Sequence, residues 1–190
     1  MKKNDTLLQA FEWYLPDDSQ HWNKLKVLAP SFSNLGVTLV WLPPAYKGAG
    51  GANDVGYGVY DLYDLGEFDQ KGTIPTKYGT KQEYLDAISA LQKENITVLA
   101  DIVLNQKMGG DTEETIDVIK IDPNNRNEEI GGDCQITAWT KFTFPNRHGK
   151  YSTFTWNASH FDGTDWDEKK KQSAIYLIEG KNWDINVDDE

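Results

Sequence analysis

Up to Asn105, the apolar residues alternate between the spacing of strands and that of helices. Apolar runs at 7–11, 37–42 and 97–104 predict three strands. The second run is apolar and β-branched at nearly every position, which is typical of a strand buried on both faces. Strands that alternate with helices imply right-handed crossovers, so the sequence predicts a parallel sheet with helices on one face.

The first helix is predicted from apolar residues spaced three and four apart. Its inner face would comprise Trp22, Leu25, Leu28, Phe32 and Leu35. An Asp or Ser of the turn at 16–19 is expected to cap this helix. Pro30 should kink or split it, and Gly36 should end it.

The second helix is predicted to begin with a capping box formed by Thr80 and Glu83. Leu85, Ile88 and Leu91 would form its inner face. Asn95 is expected to close this helix before the third strand begins.

After Asn105 the helical period fades, and Gly, Asn and Asp become frequent. The segment 137–144 alternates in the manner of an exposed antiparallel strand. We therefore expect a domain boundary near Gln106, with an α/β domain at 1–105 and a β-rich domain at 106–190.

The charge and composition of the chain argue against several kinds of binding partner and of covalent cross-link. The chain has 30 acidic and 19 basic residues, a net charge of −11, so a nucleic-acid partner is not expected. Cys134 is the only cysteine, which rules out an intrachain disulfide. No apolar run approaches the length of a signal-peptide core or a membrane span, so a cytoplasmic protein without a membrane partner is predicted.

Several motifs, at strand ends and in the β-rich part, carry a resemblance to a known family. They are Gln-Ala-Phe-Glu-Trp-Tyr at 9–14, Val-Trp-Leu-Pro-Pro-Ala-Tyr at 40–46, the segment 56–68 around Gly-Tyr-Gly, Asp-Ile-Val-Leu-Asn at 101–105, and segments 139–145, 160–167 and 180–184. In this order they resemble α-amylases of the liquefying, intracellular bacterial kind, which are glycoside hydrolases built on a (β/α)8 barrel. The resemblance implies an α/β fold: the first three βα units of a TIM barrel, followed by a β-rich insertion domain that is incomplete at the C-terminus.

The resemblance also implies residues that contact an α-glucan such as starch, glycogen or maltodextrin. Tyr57 matches a tyrosine that stacks on the sugar at the cleavage subsite, although Gly-Tyr-Gly is equally compatible with turn packing. Trp13 is a second candidate sugar contact, and Asp101 matches an aspartate that supports the active site, although it could simply end a strand. Gln106 stands where the family has a histidine that donates to the sugar; an amide still donates but cannot become cationic.

A calcium site, with sodium adjoining it, is implied in the same way. Asn105 matches a side-chain calcium ligand, and Asp162, Asp184 and the carbonyl of Asn182 match further ligands of the metal cluster. Hard cations require several oxygen ligands from separate segments, and the resemblance places others beyond Glu190, so the site is expected to be incomplete. The other acidic residues at 165–168 are interpreted as a solvated turn.

The resemblance places the catalytic carboxylates on later strands than the three predicted here. Retaining glycosidases need a carboxylate nucleophile and a carboxylic acid roughly 5–5.5 Å apart. The chain alone is therefore predicted to be inactive, with the remaining C-terminal part of the enzyme as a required partner. Two alternatives are a non-catalytic fragment that binds glucan or calcium, and a truncated gene product without function.

Overall fold

The computed structural model describes residues 4–183. Contacts within the chain group it into two units: the first contains the chain up to Gly109 together with Phe144–Ser152, and the second contains Gly110–Thr143 and the chain from Thr153. Elements of the first unit are, in chain order, β1 (Leu7–Gln9), α1 (His21–Asn34), β2 (Leu39–Leu42), β3 (Lys47–Gly48), β4 (Val59–Asp61), α2 (Lys81–Lys93) and β5 (Thr97–Ala100). No helix within residues 4–183 is long and apolar enough to cross a membrane.

The three predicted strands are adjacent and parallel, in the order β1-β2-β5. The third strand is shorter than predicted and ends at Ala100, so Asp101 follows it directly. The prediction that the second strand is buried on both faces was wrong. Val40 and Leu42 are buried, whereas Leu39 and Trp41 on the other face are only partly buried. One face of the sheet therefore carries most of the packing.

The core of the first unit lies between the sheet and both helices. It is formed by Trp22, Leu25 and Ala29 from α1, Val40 and Leu42 from β2, and Tyr84, Ala87 and Leu91 from α2, with Ala45, Tyr78 and Ile96. Helix α1 therefore buries a face that includes Ala29, whereas the predicted Leu28 and Leu35 are exposed. A small residue was omitted from the predicted face because the pattern was built from large apolar residues alone.

The ends of α1 differ in part from the prediction. Neither Asp18 nor Ser19 caps the helix, because the Asp18 carboxylate accepts from the N–H of Gln20 (3.0 Å) and the Ser19 hydroxyl donates to the Thr76 carbonyl (2.9 Å). Pro30 does not split the helix, which continues to Asn34. Packing of the flanking Ala29 and Phe32 against the core offsets the hydrogen bond that Pro30 cannot donate.

Helix α2 begins with the predicted capping box. The Thr80 hydroxyl accepts from the N–H of Glu83, and the Glu83 carboxylate accepts from the N–H of Thr80 (2.8 Å). Leu91 is buried as predicted, but Leu85 is exposed, and Tyr84 and Ala87 are buried instead. The helix ends at Lys93, and Asn95 then adopts a left-handed conformation (φ 61°).

The second unit is built from antiparallel strands. They are β6 (Thr112–Asp122), β7 (Asn125–Glu129), β8 (Cys134–Lys141), β9 (Gly163–Asp167) and β10 (Gln172–Ile178). The order is β7-β6-β10-β9, with β8 also paired to β6. Alternate residues of β8, including Ile136 and Ala138, enter the core, as the period of two along this segment predicts.

Candidate functional site

The loop that carries Tyr57 is held by a single carboxylate. Asp54 Oδ1 accepts hydrogen bonds from the N–H groups of Gly56 (2.8 Å) and Gly58 (3.2 Å), which flank the tyrosine. Gly56 has a φ of 101°, and a Cβ at Gly58 would lie 2.4 Å from Asp54 Oδ2. Gly58 is thus required by the close approach of the carboxylate, and Gly56 by its positive φ and by Pro44, whose Cβ would lie 2.6 Å from an added Cβ. The loop therefore presents Tyr57 in a defined conformation.

The ring of Tyr57 lies parallel to an exposed indole. The Trp13 and Tyr57 ring centroids are 6.3 Å apart with an interplanar angle of 3°. Trp13 is 62 % exposed, whereas Tyr57 is half-buried. The exposed indole and the parallel tyrosine ring together offer an apolar surface with a polar group at the tyrosine hydroxyl.

Asp101 accepts a hydrogen bond from the hydroxyl of Tyr57 (2.8 Å). Burial, together with this carboxylate, raises the pKa of Tyr57 to about 12. The hydroxyl therefore stays protonated across the physiological range. The chain beyond Asp101 is fixed by Tyr46, whose hydroxyl accepts from the N–H of Val103 (2.8 Å).

Gln106 reaches the same loop from the chain after β5. Its Nε2 donates to the backbone carbonyl of Tyr57 (2.6 Å). The four residues predicted to contact or support a substrate, namely Trp13, Tyr57, Asp101 and Gln106, are thus brought together in the first unit. Sequence reasoning missed Asp54, although an aspartate two residues before a glycine is a pattern that accepts a backbone N–H.

A buried ionic network lies elsewhere in the first unit and was not predicted. Arg147 Nε pairs with Asp61 Oδ2 (2.9 Å), and Lys47 Nζ lies 3.5 Å from Asp64 Oδ2. Gln70 Nε2 lies 3.0 Å from both Asp61 Oδ2 and Asp64 Oδ2 and joins the two pairs. All five side chains are almost completely buried, so these charges hold the loops together and are withdrawn from solvent.

The predicted metal ligands are not tested by the described residues. Asn105 belongs to the first unit, Asp162 and Asn182 belong to the second, and Asp184 lies outside the described residues. Within residues 4–183 no three His, Cys, Asp or Glu side chains are grouped so that they could hold a metal ion. The calcium and sodium site remains a prediction.

The interpretation of the acidic residues at 165–168 as a solvated turn was wrong for Asp167, whereas Glu168 is partly exposed in the turn that follows β9. Asp167 is buried, and its Oδ1 accepts from the N–H groups of Thr137 (3.4 Å) and Lys169 (3.1 Å). Glu168 pairs with Lys171 and accepts from the indole N–H of Trp166 (2.7 Å). Lys171 and the indole N–H together lower the pKa of Glu168 to about 2. These carboxylates stabilise the β9–β10 hairpin.

Solved structures of carbohydrate-active proteins share this fold. Alternansucrase in complex with isomaltotriose matches 89 % of this chain and 19 % of that protein, with a TM-score of 0.70 and 21 % identity. A truncated alternansucrase from Leuconostoc mesenteroides NRRL B-1355 matches to the same extent. At this identity the similarity defines the fold alone.

The family follows from the sequence comparison. Residues 25–190 match the model of the alpha amylase catalytic domain, and the chain belongs to the alpha-amylase family. It is 54 % identical over 189 residues to an alpha-amylase of Geobacillus stearothermophilus, and 52 % identical over 187 residues to one of Bacillus licheniformis. It is 46 % identical over 192 residues to the cytoplasmic alpha-amylase of Escherichia coli (strain K12). These matches cover 98–99 % of this chain but only 34–39 % of the relatives, so the chain spans about a third of their length.

Proposed function

We propose that the chain is the N-terminal portion of an α-amylase that hydrolyses internal α-1,4-glucosidic bonds of starch and glycogen by a retaining mechanism. Within that enzyme the chain provides a glucan-binding surface. The observation that carries the proposal is the parallel Trp13–Tyr57 pair, whose tyrosine hydroxyl is fixed by Asp101. Support for the enzyme class comes from the alpha-amylase family model and from relatives named alpha-amylases.

The geometry suits a neutral, ring-shaped ligand. The C–H faces of a pyranose pack on aromatic faces, and the parallel planes of Trp13 and Tyr57 would align successive faces in one direction. Since the pKa of Tyr57 is raised to about 12, its hydroxyl stays protonated and can donate to Asp101 throughout the physiological pH range. Asp101 in this arrangement orients the aromatic platform.

The hydrolytic step requires carboxyl groups outside this platform. The buried acidic residues of the first unit already have partners. Asp61 pairs with Arg147, and Asp64 pairs with Lys47 and accepts from backbone N–H groups. A retaining mechanism needs a nucleophile and an acid held roughly 5–5.5 Å apart across the bond. In the proposed enzyme, this pair belongs to further strands of a (β/α)8 barrel in which β1, β2 and β5 are the first three.

Calcium enters the proposal only as a stabilising ion of the complete enzyme. Calcium takes six to eight oxygen ligands, and the described residues bring no three acidic, His or Cys side chains together. The proposed ligands Asn105, Asp162, Asp184 and the Asn182 carbonyl stay a prediction, and no step of the proposed function depends on the ion. A cytoplasmic location is supported by the name of the Escherichia coli relative.

A non-catalytic glucan-binding fragment is the second candidate function. The Trp13–Tyr57 platform favours it, because stacking on a sugar needs no nucleophile or acid. The two candidates make the same prediction for binding and differ only in hydrolysis.

Isothermal titration of the 190-residue chain with maltoheptaose tests the binding surface. We expect Trp13→Ala and Tyr57→Ala each to raise the Kd roughly five- to tenfold, which corresponds to about 1–1.4 kcal/mol of lost stacking. Tyr14→Ala is the matched control, since Tyr14 adjoins Trp13 and is highly exposed. Unchanged affinity in both platform variants would overturn the assignment of the binding surface. The same variants in the complete enzyme should lower kcat/KM on starch, and a complete enzyme inactive on starch would overturn the hydrolase proposal.

A further inference from the structure

Tyr57 is fixed at both ends by one segment of the chain. Its hydroxyl donates to Asp101 at the start of the segment 101–108, and its backbone carbonyl accepts from Gln106 near the end of it. The carbonyl bond is short, at 2.6 Å between Nε2 and O. The orientation of the ring and the position of the backbone therefore depend on the same eight-residue segment.

Backbone contacts hold Gln106 in place for this task. The N–H of Met108 donates to the carbonyl of Val59 (2.8 Å), and Lys107 Nζ contacts the carbonyl of Tyr60. Residues 106–108 thus lie alongside 57–60, and the Gln106 amide is aimed at a fixed acceptor. Asp54 holds the opposite side of the loop through the N–H groups of Gly56 and Gly58.

We propose that Gln106 is a positioning residue, whose side-chain amide orients the Tyr57 platform by holding its backbone carbonyl. This inference rests on the proposed glucan-binding function. It differs from the expectation that Gln106 donates to the sugar, because one of its amide hydrogens is engaged by Tyr57. We call the hydrogen bond from Gln106 Nε2 to the Tyr57 carbonyl the clamp. Since a carboxamide does not titrate, the clamp acts equally at all pH values near neutrality.

Two isosteric substitutions separate the hydrogen bond from the shape of the side chain. Gln106→Met removes the donor at every pH. Gln106→Glu removes it only while the carboxyl is ionised, because a protonated carboxyl regains one O–H donor below its ordinary pKa of about 4.3. Gln106 is exposed, so neither change opens a cavity in the core. Gln92→Glu, at an exposed glutamine of α2, is the matched control for the added charge.

Hydrogen–deuterium exchange of a peptide covering 54–60, without ligand, measures the clamp directly. Relative to the unsubstituted chain at the same pH, we expect exchange at Gly56 and Gly58 to rise roughly fivefold in Gln106→Met at pH 7 and at pH 4. In Gln106→Glu the rise should appear at pH 7 and largely disappear at pH 4. The control should exchange as the unsubstituted chain does. A fivefold change corresponds to about 1 kcal/mol.

Maltoheptaose titration of the same proteins shows whether the clamp serves binding. We expect the Kd to rise in parallel with the exchange, including its recovery in Gln106→Glu at pH 4. Unchanged exchange in both variants overturns the clamp, and weaker binding without faster exchange would mean that Gln106 contacts the sugar itself. Faster exchange with unaltered binding overturns the positioning role. If the unsubstituted chain binds no maltoheptaose, the proposed function fails, while the exchange data still decide whether the clamp exists.

Discussion

At the scale of single residues, burial connects His21 to the pH dependence of stability. His21 lies at the start of α1 with its ring 5.6 Å from that of Trp22 and 5.5 Å from that of Tyr78. Within residues 4–183 its Nε2 has no hydrogen-bond partner. Burial lowers the pKa of His21 and the charge of Lys24 lowers it further, which together outweigh the opposing effects of the Ala10 backbone contact and the Asp18 carboxylate. The neutral imidazole is therefore the form that fits the fold.

We expect this histidine to weaken the fold as the pH falls. The pKa of His21 is lower in the folded state than the ordinary value of about 6.5, so the unfolded chain binds a proton more readily. The stabilisation of the fold by the neutral imidazole is therefore complete above about pH 6.5 and is lost as the pH falls below that value. The urea midpoint should therefore decrease between pH 7 and pH 5, and His21→Gln should reduce this decrease. His148→Asn, at an exposed histidine, is the control. Equal pH dependence with and without the His21 ring would contradict the prediction.

Arg147 provides a second test at the residue scale. Its Nε pairs with Asp61, and its Nη1 donates to the carbonyls of Lys150 (2.6 Å) and Ser152 (2.5 Å). Arg147→Met leaves the buried Asp61 carboxylate without its charged partner, so we expect a loss of about 3–5 kcal/mol in the free energy of unfolding. Guanidinium denaturation measures it.

A control and a compensating change sharpen that measurement. Lys150→Met removes a cation from an exposed pair with Glu67 and should leave the midpoint nearly unchanged. Combining Arg147→Met with Asp61→Leu removes both buried charges and should recover part of the loss. A double variant no more stable than Arg147→Met alone would indicate that the loss comes from packing.

The sequence predicted some of the site residues and missed others for a physical reason. Trp13, Tyr57, Asp101 and Gln106 stand in or beside motifs at strand ends, where parallel folds gather polar side chains. Arg147 is 86 residues from Asp61, and no local pattern connects them. Buried pairs between distant segments are decided by the tertiary fold, which the spacing of residues along the chain does not encode.

At the scale of elements, short sequence motifs predicted local structure correctly where the motif alone determines it. The capping box of α2 satisfies backbone N–H groups with its own side chains, so it was visible in the sequence and is present in the structure. The expected split of α1 at Pro30 was wrong because its local cost competes with the packing of Ala29 and Phe32, which only the core reveals. Period and propensity identify an element, while burial determines which of its faces points inward.

The capping box itself should contribute measurably to stability. The Thr80 hydroxyl accepts from the N–H of Glu83 and lies 2.9 Å from its carboxylate. We expect Thr80→Ala to lower the free energy of unfolding by about 0.5–2 kcal/mol, because N–H groups at the start of α2 lose their partner. Thermal unfolding followed by circular dichroism measures the change. Gln92→Ala, in the exposed part of α2, should have almost no effect, and an equal loss in both would argue against capping.

At the scale of the whole molecule, the return of the chain to the first unit was not foreseen. Residues 144–152 rejoin that unit, and Arg147 on this segment enters the ionic network. The sequence shows only a change from helical to strand periodicity near Gln106, and such a change cannot indicate a later crossing back. Our predicted domains, a partial barrel at 1–105 and an insertion domain at 106–190, stay a prediction.

The final prediction is that the 190-residue chain does not hydrolyse starch above background. Oxocarbenium-like chemistry needs a nucleophile and an acid across the bond, whereas Asp101 is occupied by the Tyr57 hydroxyl, and Asp61 and Asp64 by buried cations. Stacking on Trp13 and Tyr57 positions a glucan but supplies neither group.

Reducing-sugar release from soluble starch tests this prediction, with Gln106→His as the informative variant. Placing a histidine at position 106 should not produce activity in the 190-residue chain, because a donor to the sugar supplies neither a nucleophile nor an acid. In the complete enzyme the same substitution exchanges the Gln106 hydrogen bond to Tyr57 for a donor to the sugar, so we expect weaker binding together with a rise in turnover on the order of tenfold, which a transition-state hydrogen bond of about 1.4 kcal/mol provides. Turnover by the 190-residue chain that Asp101→Asn abolishes would show instead that Asp101 belongs to a catalytic pair, and the platform would then have to be reassigned as part of the reacting centre.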